Sequence, residues 1–217
     1  MGEEPAGGGG RLFRRPTSRL EAFSDGVFAI AITLLVLEIS VPAGSEDDLL
    51  GAILDQWPSY LAYLVSFATI GVAWLKHTVI TDLMPHTDQT FLRLNLALLL
   101  LVSFLPYPTR LLAENLEAND GAERVAVVFY GAVLLLISLL LGALWRYALA
   151  ERLVDPTLDR AEAREMTTLL TPSLGFYAVA LLVALIAPKL AVILMLVIAL
   201  VLAIPARALH RIRASRA

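Results

Sequence analysis

Six apolar runs, each close to the length of a membrane-crossing helix, fill most of this chain, near residues 20–41, 57–80, 92–113, 125–147, 166–187 and 189–206. A helix needs about 20 apolar residues to cross about 30 Å of hydrocarbon. No water reaches the backbone there, so such a run must satisfy its own hydrogen bonds and becomes a helix. The pattern predicts an all-α membrane protein of six transmembrane helices. Composition agrees: 58% of the 217 residues are hydrophobic and 17% charged, against about a quarter charged in soluble domains. Only Ala187, Pro188 and Lys189 separate the fifth run from the sixth, which predicts an antiparallel helical hairpin. Residues 1–18, with Gly7 to Gly10, read as a disordered lead-in, residues 19–206 as one membrane domain, and residues 207–217 as a basic tail. The first run is long and ends in Leu37-Glu38-Ile39, which is not a signal-peptide cleavage site.

Several chemistries are excluded at once. Cysteine is absent, so disulfides, thiolate catalysis, cysteine-ligated metals and palmitoyl or prenyl anchors cannot form. No His-Glu-x-x-His or Gly-x-Ser-x-Gly occurs, and His86 and His210 fall in a loop and in the tail. Neither a catalytic site nor a metal or cofactor is expected.

Orientation follows from the positive charges, which are retained on the cytoplasmic side of short loops. Of the 17 Lys and Arg, only Arg110, Arg124 and Lys189 fall on one side; the other fourteen, from Arg11 to Arg216, share the opposite side. Both termini are therefore expected in the cytoplasm. The loops on the outer side carry Glu46, Asp47, Asp48 and Asp55, then Glu114, Glu117, Asp120 and Glu123. The net charge of −3 thus divides into a basic inner face and an acidic outer one, which speaks against a nucleic-acid partner. The acidic side would concentrate cations, although ordinary solvated loops account for the same charges.

The first run carries most of the information. Arg19-Leu20-Glu21-Ala22-Phe23-Ser24-Asp25-Gly26 places polar groups where a membrane helix begins. Asp25 stands roughly 9 Å along the axis from Arg19, and an ionised Asp near a helix centre costs about 3 kcal/mol. It needs partners, and the up-and-down topology brings Trp74 and His77 of the second helix and Asn95 of the third to similar depth. A network of Arg19, Ser24, Asp25, Trp74, His77 and Asn95 could satisfy every member. Such a cluster reads as a structural clasp or, because His titrates near neutrality, as a gate or proton sensor.

Further along, Ile30, Leu34 and Leu37 recur at i, i+4 and i+7 as one narrow apolar stripe, about 140° from Asp25 at about 100° per residue. Gly26, Ala29 and Thr33 form an edge of small residues that permits close helix packing. Alone, the stripe fits a lipid-facing helix, a packed one or a pore-lining one.

Four strings in order give a specific resemblance: Arg19-x-x-x-Phe23-Ser24-Asp25, Val72-Ala73-Trp74-x-x-His77-Thr78, Leu94-Asn95-Leu96-Ala97 and Phe104-Leu105-Pro106-Tyr107. Together they resemble the transmembrane protein 175 family, the lysosomal potassium channel and its bacterial single-repeat relatives. The likeness covers the first three helices; the last three match in hydropathy, and Gly26 to Phe28 depart from the pattern. The resemblance implies a potassium-permeable cation channel in a bacterial-type plasma membrane, a homotetramer with the first helix of each subunit around the axis. Other monovalent cations and protons are further candidates for passage. A carbonyl-type selectivity filter is not expected, and no Thr-Val-Gly-Tyr-Gly loop occurs. The family's hydrophobic constriction falls on Ile30, with Leu34 and Leu37 as further rings and Thr33 as the selectivity-associated threonine. Its inner hydrogen-bonded network falls on Arg19, Ser24, Asp25, Trp74, His77 and Asn95. The alternative reading is a proton-coupled secondary transporter, which would also bury Asp25 and His77, but which usually breaks its helices at the midplane, whereas the obvious break here, Pro106-Tyr107-Pro108, falls near the outer end of one helix.

Overall fold

The computed structural model describes residues 15–40, 43–158, 161, 163–164, 167–168 and 172–203. The beginning of the expected lead-in and the basic tail lie outside them. Among the described residues the chain forms eight α-helices and one two-residue ladder: α1 Ser18–Leu34, α2 Leu49–Asp55, α3 Trp57–Asp82, α4 Gln89–Phe104, α5 Pro106–Asn115, α6 Asp120–Ala150, α7 Pro172–Ala184 and α8 Pro188–Ala203. The ladder pairs β1 Arg15–Pro16 antiparallel with β2 His86–Thr87, which ties the start of α1 to the α3–α4 connection.

Side chains fix the helix starts. Asp48, Asp88 and Asn119 accept the backbone N–H of Gly51, Phe91 and Ala122 at 3.0, 2.8 and 3.1 Å, so each occupies an orphan donor of its first turn. Pro58 and Pro106 sit in the first turns of α3 and α5, where the missing N–H costs nothing. Because Leu105 keeps helical dihedrals, α5 continues α4 nearly unbroken.

Four segments are long and apolar enough to cross a membrane: Ser18–Glu38, Trp57–Asp82, Gln89–Asn115 and Gly121–Ala150. The last two expected spans appear as shorter apolar helices of 13 and 16 residues, and residues 166, 169–171 and 204–206 of those spans lie outside the description. Their connection is the tight hairpin anticipated from Pro188: the Ala187 N–H reaches the Val183 carbonyl at 2.8 Å and α8 begins at once. Two further differences are local. The first span does not stay α-helical to its end but tightens into a 3₁₀ turn over Leu35–Glu38, and the short α2 stands on the acidic side of the bundle.

Helix α3 is central, packing against α1, α5, α6 and α8, while α7 and α8 lie on the α6 side. Among apolar helices in lipid, close packing rather than hydrophobic transfer holds the bundle. Gly131 shows how close. A Cβ there would stand 2.7 Å from Met195 Cε and 3.2 Å from Leu181 Cδ1, so α6 meets the α7–α8 hairpin at a position that a larger residue fills only when the tips of those side chains move. By contrast α1 packs on one side only, burying Leu20, Ser24, Phe28 and Ala31, with Leu35 just beyond, against α3 and α4. These positions repeat at three- and four-residue intervals, and the face between them is left uncovered by the rest of the chain.

Candidate functional site

The polar residues anticipated at the start of α1 form two separate hydrogen-bonded groups. In the buried one, His77 Nε2 lies 2.8 Å from Asn95 Oδ1, and Asn95 Nδ2 donates to Ser24 Oγ at 3.0 Å. With the amide in this orientation, Nε2 carries the hydrogen and donates to the Asn95 carbonyl. Ser24, His77 and Asn95 are 0, 1 and 1% exposed, and the ring of Phe28 tilts over His77 at 5.6 Å between centroids. One asparagine thereby joins α4 to both α3 and α1. In the second group Trp74 Nε1 donates to Asp25 Oδ1 at 2.8 Å, on the exposed side of α1. Asp25 is therefore not buried within this chain. Arg19 is exposed and takes part in neither group; among the described residues it makes no ion pair.

The uncovered face holds the stripe. Ile30, Leu34 and Leu37 are 60, 42 and 70% exposed, together with Phe23 at 57%. Gly26 has no atom within 4 Å of where a Cβ would stand, so this edge is open. Thr33 is exposed on the same side and donates its hydroxyl to the Ile30 carbonyl at 2.9 Å, leaving its oxygen lone pairs outward. Leu35, which an even helical wheel puts opposite the stripe, is 0% exposed and belongs to the core.

Beyond Leu37 the chain borders a cup of about 410 Å³ lined in part by Glu38, Asp55, Arg110 and Glu114. Arg110 bonds Glu114 at 2.8 Å and reaches Glu38 at 4.0 Å. Sequence reasoning missed a second buried polar cluster. Ser66 Oγ lies 2.7 Å from Thr109 Oγ1 and 2.8 Å from Tyr130 OH, joining α3, α5 and α6. Its only sequence signal was a hydroxyl among several on each of three helices, with nothing to single out Ser66, Thr109 and Tyr130.

Apolar helices of full membrane length, buried polar pairs between them, and one half-naked helix define a multi-pass membrane protein. A family model described as the endosomal/lysosomal potassium channel TMEM175 matches residues 19–106. The chain is 46% identical over 168 residues to a potassium channel of Chamaesiphon minutus, covering 76% of this chain and 82% of that one. It is 44% identical over 150 residues to a potassium channel of Streptomyces collinus, covering 68 and 72%. Against the endosomal/lysosomal proton channel TMEM175 of chicken it is 34% identical over 140 residues, which is 60% of this chain but 28% of the longer one. The crystal structure of a lysosomal potassium-selective channel TMEM175 homologue from Chamaesiphon minutus superposes with a TM-score of 0.79 at 42% identity, covering 88% of this chain and 97% of that one. A second TMEM175 structure, at 23% identity and a TM-score of 0.61, shares the fold. The chain belongs to the TMEM175 family, a family of ion channels and not a class of enzyme.

Proposed function

We propose that this chain is one subunit of a potassium-permeable channel in the cell membrane, a homotetramer in which α1 of each copy lines the axis. The observation that carries it is the uncovered apolar face of α1. Ile30 at 60% and Leu37 at 70% exposure stand on a helix whose other side is fully packed, and its family relatives are named potassium channels. One stripe encloses nothing, so closed symmetry has to complete the pore. In this reading all six apolar helices cross the bilayer, both termini lie in the cytoplasm, and the acidic side faces out.

The chemistry follows from apolar rings. Four copies of Ile30, Leu34 and Leu37 make constrictions that hold water out when narrow and pass a partly hydrated cation when wider. Shedding water costs potassium less than sodium, so selectivity needs no charged ring, and Thr33 offers hydroxyl oxygens beside the Ile30 ring. The Ser24–Asn95–His77 chain and the Asp25–Trp74 bond hold the foot of α1 in register, and Arg19 stands at the inner mouth. A proton-coupled transporter would bury both Asp25 and His77, but Asp25 is exposed on α1, bonded to Trp74, which favours the channel.

Reconstitution in liposomes with imposed potassium, sodium and proton gradients tests this reading; flux of no ion above that of empty vesicles sinks it. Ile30→Asn gives water partners at the narrowest ring and is expected to raise cation flux and narrow the gap between potassium and sodium. The control is Val36→Asn, 51% exposed and turned about 100° or more away from Ile30. Leu35 cannot serve, because Asn at a fully buried position would act on packing.

A further inference from the structure

We infer that the groove between α4, α6 and α7 is a binding site for an anionic phospholipid, whose phosphate pairs with Arg146 while an acyl chain lies along Gly142 and Leu139. The groove has a volume of about 500 Å³, within the range of small-molecule sites. Its floor is α6 and its walls are Leu94 of α4 and Leu174 of α7. Polarity is divided along its length. Arg146, Tyr147 and Thr167 gather at the end where α6 terminates, whereas Leu139, Gly142 and Ala143 line the part deeper in the bundle. From Ser138 to Arg146 the groove runs roughly 12 Å along α6, about the reach of half an acyl chain. Head and tail of an amphiphile thus each meet matching surface.

Charge points to an anion. No carboxylate lines the groove among the described residues. The nearby Asp88 is already engaged, with one oxygen capping α4 and the other accepting from Tyr147 OH at 2.7 Å. Arg146 is exposed and makes no ion pair among the described residues, so its planar fork of donors is free for a phosphate. The Trp145 indole, which also borders the groove, is turned to Thr167 Oγ1 at 2.9 Å. The apolar half is open, because a Cβ on Gly142 would meet nothing within 4 Å. The site requires only that the bundle sits in a bilayer, and it stands whether or not α1 lines a pore.

The test is native mass spectrometry of the detergent-solubilised protein titrated with phosphatidylglycerol and, separately, phosphatidylcholine. The wild type should hold phosphatidylglycerol more tightly. Arg146→Gln should weaken phosphatidylglycerol about fivefold, as loss of one basic contact near a membrane surface does, whereas Arg146→Lys should keep most of it. Gly142→Leu fills the groove and should lower occupancy by both lipids. If that variant does not assemble, Leu139→Trp, at a position 45% exposed, fills the same space. Glycerol phosphate, a headgroup without chains, should not compete at millimolar concentration. Unchanged lipid binding in Arg146→Gln, or in the groove-filling variant, overturns the site. Displacement by glycerol phosphate overturns the acyl half and leaves a bare phosphate contact.

Discussion

Helix α3 carries two buried polar clusters, at Ser66 and at His77, eleven residues and roughly 16 Å apart along its axis. Their constituents differ. The cluster at Ser66 is made of hydroxyls from α3, α5 and α6, none of which titrates near neutral pH. The cluster at His77 draws an imidazole, an amide and a hydroxyl from α3, α4 and α1. Only the second reaches α1. The body of the bundle is thus stitched together through its interior, whereas α1 is hydrogen-bonded at its foot by Ser24 and Asp25 and held above that by the apolar contacts of Phe28, Ala31 and Leu35. The contrast teaches that the helix with the uncovered stripe joins the buried hydrogen bonds of the bundle at one end only, through Ser24.

Mutations should separate the two clusters. The largest effect is expected for Asn95→Ala, which removes two interhelical hydrogen bonds and strands His77 and Ser24 in an apolar interior. At about 0.6–1.7 kcal/mol per bond in membrane proteins, a loss of about 1–3 kcal/mol follows. Thermal melting in detergent should register it, together with lowered cation flux; an unchanged melting temperature would mean that the foot of α1 is held by packing alone. Ser66→Ala also removes two interhelical bonds but should cost less, about 1–2 kcal/mol, because Thr109 keeps its bond to the Leu105 carbonyl at 2.8 Å and only Tyr130 loses its partner on Ser66. It should leave the ratio of potassium to sodium flux unaltered, and a shift in that ratio would erase the distinction between the frame of the bundle and α1. Glu38→Gln should do least. Its contact with Arg110 is long, at 4.0 Å, and solvent-exposed on the Arg110 side, and such pairs are screened at ordinary salt. The melting curve should overlay that of the wild type, and a clear drop would show that the first span is also anchored at the end away from its foot.

Much of this was legible in the chain. Apolar runs announce membrane helices because lipid leaves the backbone no other choice, and Pro188 announced the hairpin because it opens a helix and cannot continue one. Polar residues such as Ser24, His77 and Asn95 stood out against apolar surroundings and needed partners at equal depth. That Asp25 would turn to Trp74 alone, on the exposed side, was not legible, because the choice among partners is made by side-chain direction. The hydroxyl cluster escaped for a related reason. A serine or threonine in an apolar helix reads the same whether it bonds its own backbone, as Thr69 does to the Val65 carbonyl at 2.8 Å, or another helix, as Ser66 does. Nor did periodicity show the 3₁₀ turn over Leu35–Glu38, which packs against α3 and α5.

The two-residue ladder between Arg15–Pro16 and His86–Thr87 gives α1 the geometry of a lever. Its fixed point is the foot, where the strand pairing ties the chain to the α3–α4 connection. From Ser18 to Leu34 the arm is roughly 24 Å long. A swing of about 5° about that fulcrum would carry Leu34 sideways by about 2 Å while Ser24, roughly 9 Å from the pivot, shifts by less than about 1 Å. A shift of under about 1 Å at Ser24 is thus amplified, at the far end of the arm, to more than the radius of a water molecule.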